Sequence, residues 1–105
     1  MTGSSVRSGA QPRKIGVVVN PTAGKGRAAK VGKNVEKLFE SQGYDVWDLS
    51  GHNADLALEH AQRAVASGLD ALVVVGGDGM VSLGLQAVGD TSVPFGIVAV
   101  GTGND

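Results

Sequence analysis

The 105-residue chain has no cysteine, so disulfides, thiolate catalysis and cysteine–metal sites are excluded. Net charge is nearly absent: nine Lys and Arg against ten Asp and Glu give −1. Such a balance exerts no strong pull toward nucleic acid. No apolar run reaches the roughly 18 residues of a membrane-spanning helix. Residues Met1 to Arg13 are polar and rich in Ser and Gly, without the apolar core of a signal peptide. They are expected to form a flexible leader, with the cytoplasm as the default compartment. Aromatics are scarce while aliphatic residues and alanine are plentiful, which suits a compact soluble α/β layer rather than a disordered chain. The length fits one small domain or part of a larger protein.

What the chain has in excess is glycine, seventeen residues grouped between periodic segments. Lys14 to Asn20 is a short β-branched run expected to form a strand buried on both faces. Pro21 to Gly26 has loop chemistry. From Arg27 to Gln42 the apolar residues Ala28, Val31, Val35, Leu38 and Phe39 define one helical stripe, with Gly43 as the stop. Tyr44 to Leu49 is expected as a second strand, more exposed because of Asp45 and Asp48. Asn53 is the expected N-cap of a helix from Ala54 to Ser67 with Ala54, Ala57, Leu58, Ala61, Ala64 and Val65 inward. Ala71 to Val75 is a third strand, and Met80 to Val88 a short buried helix, apolar all round, that Gly84 weakens by about 1 kcal/mol relative to alanine. Pro94 to Val100 is the fourth strand.

Strand–helix alternation of this kind predicts an α/β fold: a parallel sheet of about four strands with helices on both faces. The loops Asn20–Gly26, Gly76–Gly79 and Gly101–Asp105, and the exit at Ser50–Asn53, then share the carboxyl edge of the sheet, where ligands of such folds bind. The fourth strand has no crossover helix after it to cover it, so residues 14–105 are expected to be the amino-terminal, nucleotide-binding part of a larger protein.

The central stretch is Gly76-Gly77-Asp78-Gly79. Its glycines let backbone N–H groups approach phosphate oxygens, and a helix starting near Met80 adds its positive end. Asp78 cannot neutralise phosphate, so it is read as holding Mg²⁺ or its water, or as orienting a nearby donor. The plain alternative is a tight turn with a favourable cap. Asn20-Pro21-Thr22-Ala23-Gly24 matches neither the Walker A pattern nor Gly-x-Gly-x-x-Gly. It remains a polar loop whose Asn20, Thr22 and backbone can hydrogen-bond a nucleotide, with Lys25 and Arg27 adding positive charge. Thr102, Asn104 and Asp105 offer a hydroxyl, an amide and a carboxylate, reasonable partners for a nucleotide and Mg²⁺. His60 is read as surface filler, His52 as nearer the active edge, and Tyr44 and Trp47 as packing residues.

Together, Asn20-Pro21-Thr22-Ala23-Gly24, Gly76-Gly77-Asp78-Gly79 and Gly101-Thr102-Gly103-Asn104-Asp105 resemble the diacylglycerol kinase catalytic domain family, which includes bacterial lipid kinases and sphingosine kinases. The likeness runs from about Lys14 to Asp105. Gly-Gly-Asp-Gly alone is shared with NAD kinases and phosphofructokinases; the Gly-Thr-x-Asn-Asp end points to the lipid kinases. The resemblance implies ATP binding by Asn20, Pro21, Thr22, Ala23 and Gly24, by Ser50, by Gly76, Gly77, Asp78, Gly79, Met80, Val81 and Ser82, and by Thr102. It implies Mg²⁺ near Asp105, a catalytic role for Asp78, and a general base in a second, β-rich domain. Met80 departs from the threonine usual there, and a thioether cannot replace a hydroxyl's hydrogen bond to phosphate. The implied partners are a nucleotide and a lipid at a membrane surface, with a homodimer left open. The competing readings are a soluble-substrate kinase of the NAD kinase type and a nucleotide-binding module without turnover.

Overall fold

A computed structural model describes residues 13–20, 27–51 and 53–100. Four strands, β1 (Lys14–Val19), β2 (Asp45–Asp48), β3 (Ala71–Gly76) and β4 (Phe95–Ala99), alternate with helices α1 (Arg27–Ser41), α2 (Ala54–Ala66) and α3 (Asp78–Val88). The strands form one all-parallel sheet in the order β2-β1-β3-β4. The β-branched runs occupy its centre, where both faces need apolar cover, and Val17, Val18, Val74 and Val75 are fully buried. Edge strand β2 carries exposed Asp45 and Asp48 as expected.

From β1 the chain steps outward to β2, whereas from β3 it steps the other way to β4. Right-handed crossovers in opposite directions put their helices on opposite faces. Accordingly α1 packs against one face, over Ile15, Val17 and Val75. Helices α2 and α3 pack side by side on the other, over Val18, Leu72 and Val74. The reversal between β1 and β3 is the switch point at which open α/β sheets leave a crevice beyond the strand carboxyl ends.

Several local expectations need correction. Leu38 does not face the sheet and is 55% exposed. The buried side of α1 is centred on Ala28 and Gly32, and Leu38 lies about 80° around the helix from Ala28 at 100° per residue. Gly32 belongs on that side because α1 crosses β1 closely there, and a Cβ would run into Val19. Ala54, in the first turn of α2, is exposed. Helix α3 starts at Asp78, two residues earlier than expected, with Gly77 as an extended N-cap. It is also one-sided: Met80, Leu83, Gly84, Ala87 and Val88 are buried, while Leu85 is 58% exposed beside exposed Ser82 and Gln86. Gly84 has a packing reason, since the Phe95 ring lies where its Cβ would stand. Asn53 caps α2 as expected, its side chain accepting from the Leu56 N–H at 2.9 Å.

Candidate nucleotide site

At the switch point the last peptides of β3 hold the exits of both neighbouring strands. The Asn20 N–H donates to the Val75 carbonyl at 3.1 Å, and the Val100 N–H to the Gly76 carbonyl at 3.2 Å. Gly76 is buried with φ +154°, a conformation that favours glycine. A Cβ there would come within 2.6 Å of Met80 Cγ and 3.5 Å of Asn20 Cβ. Asn20, Gly76 and Met80 therefore meet at one point, with Met80 folded beneath the turn.

The next residues open outward. Gly77, Asp78 and Gly79 are exposed, and a Cβ at Gly77 or Gly79 would meet nothing within 4 Å. The first intrahelical bond of α3 is made by the Met80 N–H, which donates to the Gly77 carbonyl at 3.0 Å. The N–H groups ahead of it belong to the helix's unpaired first turn. Asp78 sits in that turn, where a carboxylate is favoured by the helix dipole. Val81 is half-buried, and the exposed Ser82 hydroxyl accepts from Gln86 Nε2 at 3.3 Å. Alongside, Asn20, Gly79, Met80, Leu83 and Gln86 of this region and Ala54, Asp55 and Leu58 of α2 line a cleft of about 250 Å³.

Ser50 stands on the other side of the β1 exit, about two inter-strand spacings, roughly 10 Å, from β3. Three of its polar atoms are held. Its hydroxyl oxygen accepts from the Val19 N–H at 3.0 Å, its N–H donates to Asp48 Oδ1 at 3.0 Å, and its carbonyl faces His60 Nδ1 at 3.3 Å. It also borders a smaller cleft of about 180 Å³ with Val19, Gly32, Lys33, Glu36 and Asp48. Burial, reinforced by the charge of Asp48, raises the pKa of Glu36, with Lys33 opposing.

Of the residues expected at the site, Asn20, Gly76, Gly77, Asp78, Gly79 and Met80 come together, Val81 and Ser82 continue along α3, and Ser50 flanks them. Pro21, Thr22, Ala23, Gly24, Thr102 and Asp105 lie outside the described residues, as does His52. Tyr44 packs edge-on to Phe39 at 5.6 Å between ring centres, and Trp47 lies against the core under Lys14 Nζ, 5.3 Å away, so both serve packing. His60 is not surface filler. It is half-buried and reaches both the Leu49 and Ser50 carbonyls. Its spacing, three residues after buried Ala57 and four before buried Ala64, was the available signal that it borders the inward side of α2.

Residues 14–105 match the family model for the diacylglycerol kinase catalytic domain. The chain belongs to that family. Its relatives include two proteins named "Diacylglycerol kinase", from Mycobacterium tuberculosis strains CDC 1551 / Oshkosh and ATCC 25618 / H37Rv. Each is 40% identical over 92 residues, covering 88% of this chain and 30% of the relative. The chain thus spans about 30% of the length of the curated relatives it matches. As a family member it places the Gly-Gly-Asp-Gly stretch at the β1/β3 switch point, the position at which α/β sheets of this order take ligands. Among the described residues, no helix is long and apolar enough to cross a membrane.

Proposed function

We propose that this chain is the nucleotide-binding part of an ATP-dependent lipid kinase, which transfers the γ-phosphate of ATP to a lipid hydroxyl such as that of diacylglycerol. The observation that carries the reading is the open first turn of α3, with clear space over Gly77 and Gly79 directly at the switch point. Phosphate fits there, since main-chain N–H groups and the helix's positive end meet it without side-chain obstruction. The family match and the name of the two relatives support the lipid kinase class.

Phosphoryl transfer asks for positioning and charge stabilisation more than covalent help. The glycine turn positions the phosphates, and Asn20 flanks them. The Ser50 hydroxyl, about 10 Å away across β1, suits a more distant part of an extended nucleotide. Among the described residues no three acidic or imidazole side chains converge on a metal. Mg²⁺ bound through one or two carboxylates and the substrate's own phosphates needs no such cluster, and Asp78, with Asp105, fits that mode. Bound Mg²⁺ would supply neutralisation of the charge on the transferred group. Residues 1–105 by themselves would then hold nucleotide with little or no turnover, because they match only about 30% of the length of the relatives.

Offering radiolabelled ATP to the full-length protein with diacylglycerol, sphingosine and NAD tests this. Label is expected in a lipid; label in NADP and in no lipid overturns it in favour of the NAD kinase type. In the same assay Asp78→Asn is expected to abolish transfer while costing no more than about 1 kcal/mol of stability, the scale of a charge at a helix terminus. Unchanged turnover would return Asp78 to a capping role.

A further inference from the structure

We infer that His60 is a positioning residue for the nucleotide site, acting through Ser50; this rests on the nucleotide-binding reading above. His60 projects from the middle of α2 and approaches two carbonyl oxygens, those of Leu49 at 3.2 Å and Ser50 at 3.3 Å, with the same ring nitrogen, Nδ1. Carbonyl oxygens only accept, so Nδ1 carries the hydrogen and shares it between them, a three-centre bond. The bond pins the peptide that leaves β2 to the side of α2. It does so at the residue whose hydroxyl oxygen accepts from the Val19 N–H, one position before Asn20.

The consequence is chemical as well as mechanical. A serine hydroxyl has one hydrogen to donate, and its oxygen accepts. With the oxygen engaged by Val19, the N–H by Asp48 and the carbonyl by His60, the Ser50 hydroxyl hydrogen has no acceptor among the described residues. A fixed donor of this kind suits a ligand oxygen at the carboxyl edge, a ribose hydroxyl or a phosphate. His60 is what keeps the Ser50 peptide from turning that donor away. Without it, the bonds at Ser50 among the described residues are those of the neighbouring Asp48 and of the hydroxyl itself. His60 touches no reacting atom and is placed to act on affinity.

Affinity of the full-length protein for ATP with Mg²⁺, measured by calorimetry, tests the inference alongside thermal unfolding of each variant. His60→Phe keeps a ring and loses the donor. It is expected to weaken binding by about tenfold, the scale of one hydrogen bond. His60→Asn carries an amide donor near the Nδ1 position and is expected to restore affinity to within about threefold of wild type. Ser50→Ala should weaken binding comparably, and adding His60→Phe to Ser50→Ala should weaken it no further, because the two act as one unit. A merely structural histidine would lower the unfolding temperature and leave the affinity of the folded protein alone. Wild-type affinity in His60→Phe, or losses that add in the double variant, overturns the inference. Should His60→Phe not fold, His60→Leu carries the same expectation. Absence of nucleotide binding by the wild type is a different result: it overturns the functional reading, and the role of His60 with it.

Discussion

The two faces of the sheet are built differently. Beneath α2 and α3 lies one continuous core of thirteen buried residues among those described, running from Val18 to Val88. On the α1 side the buried hydrophobic cluster among the described residues is Ile15, Val17, Ala28 and Val75, ringed by nine half-buried hydrophobic residues that include Val73, Val98 and Val100. One face has two helices laid side by side. The other has, among the described residues, a single helix, which packs on β1, β2 and part of β3. Stability therefore resides chiefly on the two-helix face. The one-helix face keeps the cleft bordered by Ser50, Asp48, Lys33 and Glu36 together with Val19 and Ala29. At the turn that opens α3, Met80 is anchored in the larger core while Gly77 to Gly79 stand exposed.

Core truncation gives the largest expected contrast. Leu72→Ala empties a fully buried position on the two-helix face and is expected to cost about 2–5 kcal/mol. Val98→Ala, half-buried on the one-helix face, is expected to cost less than about 1.5 kcal/mol, below the range for truncating a well-buried leucine. Denaturant titration of both variants checks the difference, and equal losses would erase the asymmetry. Next is Gly84→Ala. Its Cβ would enter the space of the Phe95 ring, an overpacking cost of about 1–3 kcal/mol, from which roughly 1 kcal/mol of regained helix propensity is subtracted. A net loss in thermal unfolding is expected, and a gain in stability would show that α3 moves off β4 freely.

The smallest effect belongs to Glu36. Its folded pKa is raised, first by burial, then by Asp48. The folded state thus holds its proton more tightly than the unfolded state does, and Glu36 opposes folding in full once pH exceeds the folded value. The penalty is absent below the unfolded pKa and grows as pH rises from there through the folded one. Glu36→Gln is accordingly expected to raise stability slightly near neutral pH and to flatten its pH dependence in the acidic range. Stability that rises with pH through that window equally in wild type and variant would contradict this.

The parts that could be read from the sequence were those whose residues leave one physical option. The β-branched runs of β1 and β3 announce buried parallel strands, Asn53 announces a cap, and Asp45 and Asp48 announce an edge. The first turn of α3 was hidden because Gly77-Asp78-Gly79 has the composition of a turn, and only the extended backbone of Gly77 shows that the helix already begins at Asp78. Leu85 concealed the outer side of α3, since an apolar residue on the surface erases the periodic signal. Strand order was not legible either, as alternation of strand and helix is the same for several pairings. The candidate site was legible at Gly76 to Gly79 and at Asn20, which the structure brings together at the switch point. His60 was not, because its partners are main-chain carbonyls that carry no residue-specific mark.

The final two peptides of β3 make the site a kind of ruler. Val75 and Gly76 each grip a neighbouring strand's exit by main-chain hydrogen bonds, so the roots of three loops stand at fixed intervals of about 4.8 Å. Those intervals are set by amide geometry and do not depend on any side chain. Substitutions along the loops can retune what each one touches, yet the spacing against which the proposed nucleotide would be gauged stays put. A mutation that shifted register between β1 and β3 would misplace all the loops at once, with every loop residue intact.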